Sequence, residues 1–225
     1  MKKYFKTFSI IVLMFFSFYY TEKIAMYVQN NSPLKKEIIN YKNENVVSFV
    51  NAEVMGDYII PGINGLEVNV DKSFNKMRTY NVFSEKYLIY DEVKPEISSL
   101  DFKNKIINRG NSLKNGVSIL VSKNNTNINY LKEERINFDY IDNKNYCIDL
   151  KNNCLKESKK QIVKPTLILS NNNFLRELKK IDKGYLIYLD NNLNREYIYV
   201  LIKRIKCNNY NIYTLEEHLS ENNHI

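Results

Sequence analysis

The side chains able to do acid–base, nucleophilic or metal chemistry are few and scattered. Both histidines, His218 and His224, fall in the last eight residues of the 225. Cys147 and Cys154 bracket a polar stretch, and Cys207 stands alone after Lys206. A zinc site needs three or four converging thiolate, imidazole or carboxylate ligands. With no second cysteine pair and no histidine near Cys147 and Cys154, no metal is expected there. Outside the cell the two could instead close a small disulfide loop, worth ~2–3 kcal/mol on the chain-entropy model.

Among the acids, Asp190 follows the apolar run Tyr185–Leu189, and Asp139 and Asp142 flank Tyr140-Ile141. The carboxyl end of a buried strand is where α/β proteins place functional groups, so Asp190 is the best single candidate for ligand contact. The competing reading is a solvated loop acid beside Asn191-Asn192. His218, in Glu216-Glu217-His218, is expected on a terminal surface helix. Tyr185, Tyr188, Tyr197 and Tyr199 could stack on sugar rings, although their placement equally suits packing of a helix on a sheet.

These residues need elements to position them. Val117–Val121 is a short apolar run followed by a polar loop, the signature of a buried strand entering a βα unit. Asn137–Asp142, Lys164–Leu169, Tyr185–Leu189 and Asn209–Thr214 read as further strands, and Val46–Val54 and Tyr87–Tyr90 as strands of a front region in which Tyr58–Gly62 runs into a turn. A strand end and a helix start are expected within Val68–Met77, capped by Asp71 or Ser73, and helices from Asn173 to Ile181 with Asn173 as cap and over Arg195–Ile205 with Ile198, Leu201, Ile202 and Ile205 on one side. A terminal turn follows over Leu215–Leu219. Alternating strands and helices predict a parallel α/β arrangement.

Net charge is +8, with 33 Lys and Arg against 25 Asp and Glu. The positive residues are spread out, and Lys156/Lys159/Lys160 and Lys203/Arg204/Lys206 alternate with apolar residues as a solvated face does, so nucleic acid is not an expected partner. Abundant Lys and Asn point to an AT-rich coding sequence, and the asparagine runs 124–125 and 171–173 are read as surface loops. Residues 8–20 carry no charge and follow the basic start Met1-Lys2-Lys3. A helix there satisfies its own backbone in hydrocarbon, and the basic end stays cytoplasmic. No small-x-small cleavage site follows, so residues 1–21 are expected as an uncleaved signal-anchor helix, with the bulk of the chain outside the cell membrane. Residues 22–45 read as a stalk, 46–112 as an α+β region and 113–225 as the main domain.

The carboxyl-terminal pattern of Gly184, an apolar strand through Leu189, an acidic residue, a helix and then Asn209–Leu219 resembles the end of the polysaccharide deacetylase (NodB-homology) domain. The stretches Ile59–Gly65 and Val70–Met77 resemble the membrane-proximal region of some Firmicutes-like members. The resemblance implies a shortened (β/α) deacetylase-type barrel. It also implies a divalent metal, commonly zinc, held by an Asp and two His, with a second Asp as base. The strand Val117–Val121 corresponds to the one that ends in the Asp-Asp motif, yet Ser122-Lys123-Asn124-Asn125 follows it. No histidine precedes His218, so His-x-x-x-His has no counterpart, and Asp190 stands at the last motif's histidine position. The expectation is a catalytically inactive, membrane-anchored deacetylase-like protein without cofactor, whose partner is a cell-wall polysaccharide or an envelope protein. The alternatives are a hydrolase with a non-standard metal site at Asp139, Asp142 and Asp190, and a structural assembly protein.

Overall fold

The structure is a computed structural model and describes residues 2–151, 154 and 160–223. His224, Lys156 and Lys159 lie outside the described residues. The elements in chain order are α1 (Lys2–Asn30), α2 (Pro33–Glu44), β1 (Glu53–Met55), β2 (Tyr58–Ile60), β3 (Gly65–Val68), α3 (Val70–Met77), β4 (Tyr90–Val93), β5 (Ile106–Ile107), β6 (Gly116–Val121) and α4 (Ile128–Glu133). There follow β7 (Asp139–Tyr140), β8 (Tyr146–Ile148), β9 (Gln161–Val163), β10 (Leu167–Leu169), α5 (Phe174–Leu178), β11 (Leu186–Leu189), α6 (Arg195–Cys207), β12 (Asn211–Tyr213) and α7 (Leu215–Leu219). The chain forms two compact units, Met1–Val47 with Leu66–Asp91, and Ser48–Gly65 with Glu92–Ile225.

In the smaller unit, α1 is the one helix among the described residues long and apolar enough to cross a membrane, over Phe8–Val28. At 1.5 Å per residue that segment is about 30 Å long, matching the hydrocarbon core of a bilayer. Phe15 and Phe18 on it are 73% and 75% exposed. The helix continues past the expected boundary at 21, and the stretch read as a stalk carries α2, which buries Leu34 and Ile38. Those side chains meet Val68, Phe74, Met77 and Leu88 in a core of their own. The apolar spacing in 33–41 is what turns a supposed spacer into a packed helix. The cap of α3 is Asn69, whose side chain accepts from the Lys72 amide at 2.8 Å, one position ahead of the helix and not at Asp71 or Ser73. A 3-10 turn occupies Glu85–Tyr87, so the strand expected at Tyr87 starts at Tyr90.

The larger unit holds two sheets. One has the order β1-β2-β5-β9-β8, with only β1 and β2 antiparallel, and the other has β10-β11-β6-β12, with β7 also beside β6. Every residue of β6 is buried. Val117, Ile119 and Val121 pack with Phe174, Ile198, Leu201, Ile202 and Ile205, the apolar faces of α5 and α6. From the other face Leu120 packs with Ile59, Ile107 and Val163 of the first sheet and with Leu215 and Leu219 of α7. Such double burial is why the strand reads as an unbroken apolar run and not an alternating one. Val46–Val54 makes isolated bridges at Val47 and Val50, and only Glu53–Met55 pairs as a strand. The two-residue β5 and the three-residue β8 and β9 gave no sequence signal of their own.

The carboxyl terminus ties this unit together. Thr214 and Glu217 form a reciprocal capping box at the start of α7. His218 is fully buried, not on the surface as expected, because Leu215, His218 and Leu219 share one helical face. Its Nδ1 lies 2.8 Å from the Ser118 hydroxyl of β6. Its ring occupies the space where any side chain at Gly110 would sit, 2.4 Å from a built Cβ, so Gly110 has to be glycine. Burial, reinforced by the nearby Lys114 charge, lowers the imidazole to about 4. Lys114 donates to the Glu217 and Ser220 carbonyls, both at 2.5 Å, and closes the end of α7. Beyond the helix, buried Glu221 accepts from the Ser99 amide at 2.6 Å, the Ser99 hydroxyl at 2.8 Å and the Ser98 hydroxyl at 2.6 Å.

Three measurements follow from this packing. The unfolded chain takes up a proton at His218 as pH falls through 6.5, whereas the folded protein does so only near 4. Stability is therefore complete above pH 6.5 and declines by about 3 kcal/mol as pH falls to 4. Urea unfolding across that window shows this slope, and a His218→Gln variant loses it. Glu221→Ala, which leaves the buried Ser99 amide and hydroxyl and the half-buried Ser98 hydroxyl without their acceptor, lowers stability by about 2–4 kcal/mol in the same assay at neutral pH. Cys147 and Cys154 are joined as a disulfide, with Cα atoms 6.1 Å apart. Peptide mapping without reductant recovers them linked, and Cys154→Ser costs about 2–3 kcal/mol.

Candidate functional site

The second sheet delivers its loops in one direction because β10, β11, β6, β7 and β12 run parallel. Residues after β6 and β7 therefore converge. Ser122, Lys123 and Asn124 from the first, and Ile141, Asp142 and Asn143 from the second, line a cleft of about 540 Å³ with Tyr146, Cys147, Ile148 and Lys160. Its lining mixes apolar side chains with hydroxyl, amide and ammonium groups, the mixture that small polar ligands need. Lys123 Nζ pairs with Asp142 Oδ2 at 2.8 Å, which holds that carboxyl below its usual range and raises the ammonium. Lys160 donates to the Asn143 carbonyl at 2.9 Å. Burial raises the Tyr146 phenol.

The three acids singled out in the sequence stand apart. Asp190 is exposed, and its Oδ1 accepts from the Asn191 amide at 2.9 Å, so its carboxylate closes its own turn. Asp139 accepts from the Leu215 amide at 2.6 Å and helps start α7, with burial raising its pKa. Asp142 alone faces the cleft, already paired with Lys123. His218 Nε2 has no hydrogen-bond partner, but the ring is walled in against Gly110. The Ser118–His218 pair has the spacing of a nucleophile and base, yet both residues are 0% exposed and no substrate reaches them. Among the described residues no group of three or more His, Cys, Asp or Glu is placed to hold a metal ion. The donor set therefore does not fit zinc, which prefers converging imidazole, thiolate and carboxylate groups over amides and an ammonium.

Asparagine side chains were the unread signal. Asn125 is buried and donates to the carbonyls of Leu189 and Asp190 at 3.1 and 3.0 Å, satisfying the end of β11. Asn127 donates to the Leu193 carbonyl at 2.7 Å, and Asn191 accepts from both Ser122 and Tyr188. Asn173 holds the N-cap position of α5 as expected, but its side chain, in place of a capping bond, accepts from the Ser170 amide at 2.8 Å and donates to the Ile168 carbonyl at 2.9 Å. The asparagine runs set aside as loop composition thus brace the strand ends around the cleft. Of the tyrosines, Tyr197 stacks on Phe174 at 4.4 Å and Tyr188 is 8% exposed, both packing residues, while Tyr199 is exposed.

No family model matches the chain. The Bacillus subtilis (strain 168) "Uncharacterized protein YlxY" is 34% identical over 96 residues, which is 41% of this chain and 30% of YlxY, so the match spans less than a third of that relative. Among solved structures, wild-type BA3943 of Bacillus anthracis, described as a CE4 family pseudoenzyme, superposes with a TM-score of 0.58 at 16% identity, over 85% of this chain and 96% of that one. A BA3943 mutant gives 0.59 at 15% identity, and another, described as having restored enzymatic activity, gives 0.57 at 16%; each match covers 85% of this chain and 99% of the other. The architecture is mixed α/β, and the chain has a degenerate polysaccharide deacetylase-like fold, the fold of a CE4 pseudoenzyme.

Proposed function

We propose that this protein is a catalytically silent, membrane-anchored deacetylase-like protein whose bulk lies outside the cell, and that its cleft binds a cell-envelope glycan. The observation that carries the reading is the loop after β6, where Ser122, Lys123 and Asn124 replace the carboxylates that deacetylation requires, with a cleft still open beside them. The two sheets around the shared cluster of Leu120, Ile59 and Val163 are what a shortened barrel would leave. Hydroxyl, amide and phenol groups mixed with apolar side chains suit a sugar, which offers hydroxyls at its edge and C–H groups on its face. The Phe8–Val28 segment supports anchoring, and the Cys147–Cys154 disulfide agrees with an oxidising compartment.

The full chain in detergent micelles is expected to release no acetate from N-acetylglucosamine oligomers or peptidoglycan with zinc, cobalt or manganese added. Release above that of a protein-free control overturns the silent-enzyme reading. The same preparation is expected to co-sediment with purified peptidoglycan. Asn124→Trp, a bulky change at an exposed wall of the cleft, weakens that binding about tenfold, equivalent to about 1.4 kcal/mol. No co-sedimentation with peptidoglycan or any purified wall polymer removes the glycan assignment and leaves an envelope protein as the occupant to seek.

A further inference from the structure

The smaller unit carries a surface unrelated to the cleft. After α3 the chain turns through Asn81, at φ +49°, and exposes Tyr80 (66%) and Val82 (65%) on either side of it. Phe83 points the other way, packing with the core of the unit and 5.5 Å from the Tyr41 ring, so the turn is held rigidly with its apolar groups outward. The Tyr80 and Tyr87 rings stack at 5.9 Å and 8°. The ammonium groups of Lys76 and Lys86 lie 5.7 and 4.8 Å from the Tyr87 ring. Arg78 is exposed beside them.

Three ion pairs among the described residues lie elsewhere in the unit. Asp71, Glu67 and Asp91 are paired with Lys35, Lys42 and Lys72. Among the described residues no carboxylate lies within salt-bridge distance of Lys76, Arg78 or Lys86, and Glu85 is the one acid in the 76–87 stretch. Exposed tyrosine and valine beside unpaired cations is the composition that settles at a lipid headgroup layer, rings among the glycerol groups and cations on the phosphates. Chain length brings that layer close. Five peptide steps, at most about 18 Å, separate Val28, the last residue of the apolar segment, from Pro33 at the start of α2, and the eight helical residues from there to Tyr41, on which Phe83 packs, add about 12 Å. Along α2 lie Leu34 and Ile38, which pack with Phe74 and Met77 of α3. A surface tethered at that range meets the bilayer at high effective concentration, so weak contacts suffice.

We propose that the Tyr80–Tyr87 turn is a lipid-contact surface: Tyr80 and Val82 enter the headgroup region of an anionic bilayer while Lys76, Arg78 and Lys86 bind its phosphates. This rests on reading α1 as a membrane anchor. The anchor and the docked turn would together hold the smaller unit against the membrane.

The test uses the full chain in nanodiscs, with Cys207→Ser removing the free thiol and an environment-sensitive fluorophore attached at Val82→Cys or, separately, at Phe16→Cys. In discs containing phosphatidylglycerol both labels are expected to emit as in an apolar medium. In discs of phosphatidylcholine alone, Phe16→Cys stays apolar and Val82→Cys turns aqueous. Each basic group near an anionic surface weighs about fivefold, so Lys76→Gln with Lys86→Gln lowers the ratio of docked to undocked turn about 30-fold. A Phe16→Cys label that remains aqueous in every disc overturns the anchor. An apolar Phe16→Cys label with a Val82→Cys label aqueous in both lipids overturns the lipid contact alone. Circular dichroism of each labelled chain confirms that the exposed substitutions leave the fold intact.

Discussion

The larger unit depends on one strand being buried on both faces. β6 puts Val117, Ile119 and Val121 against the helices and Ser118 and Leu120 against the other sheet, so both cores of the unit are built on it. A parallel strand in that position has neither a solvent face nor a free edge, since β11 pairs along one side and β12 and β7 share the other. Its loop therefore opens at a point the whole unit has fixed. That is why the cleft has a fixed place beside the end of β6.

Burying six consecutive residues leaves one polar side chain, Ser118, to be satisfied inside, and the chain does so with its last helix. The imidazole of His218 supplies the partner, Gly110 supplies the room, and Lys114 fixes the helix end by its carbonyls, at the expense of an ammonium that burial lowers to about 8. Glu221 then clamps the segment that follows α7 to Ser98 and Ser99. His218 is thus a packing residue, neutral at physiological pH and closed to solvent.

Around the cleft, amides have taken over from charges. A metal-binding edge needs carboxylates that repel one another until the cation arrives, and that repulsion is a standing cost to the fold. Asn125, Asn127, Asn173 and Asn191 carry no such cost and satisfy strand-end carbonyls, amides and hydroxyls directly. The acids that do occur are used one at a time, Asp139 on a helix start, Asp142 on Lys123 and Asp190 on its own turn. Rigid strand ends and a cleft of ligand size are what such an edge retains.

The sequence by itself determined the elements with strong periodicity. The apolar run of β6, the stripe Ile198, Leu201, Ile202 and Ile205 of α6, the strand opened by Gly184 and the long apolar α1 are each local patterns, set by burial that repeats along the chain. The missing Asp-Asp and His-x-x-x-His motifs were legible too, since residue types alone decide whether ligands exist. Only the tertiary structure decided where isolated polar residues went. Asp190 took the solvated turn that was one of its two readings, His218 left the expected surface for the interior, and two- and three-residue strands such as β5 and β9 exist because neighbours supply their hydrogen bonds. The cleft joins residues 122–124, 141–148 and 160 by sheet pairing at long range, and a single side chain carries no periodic signal of what it will meet across such a distance.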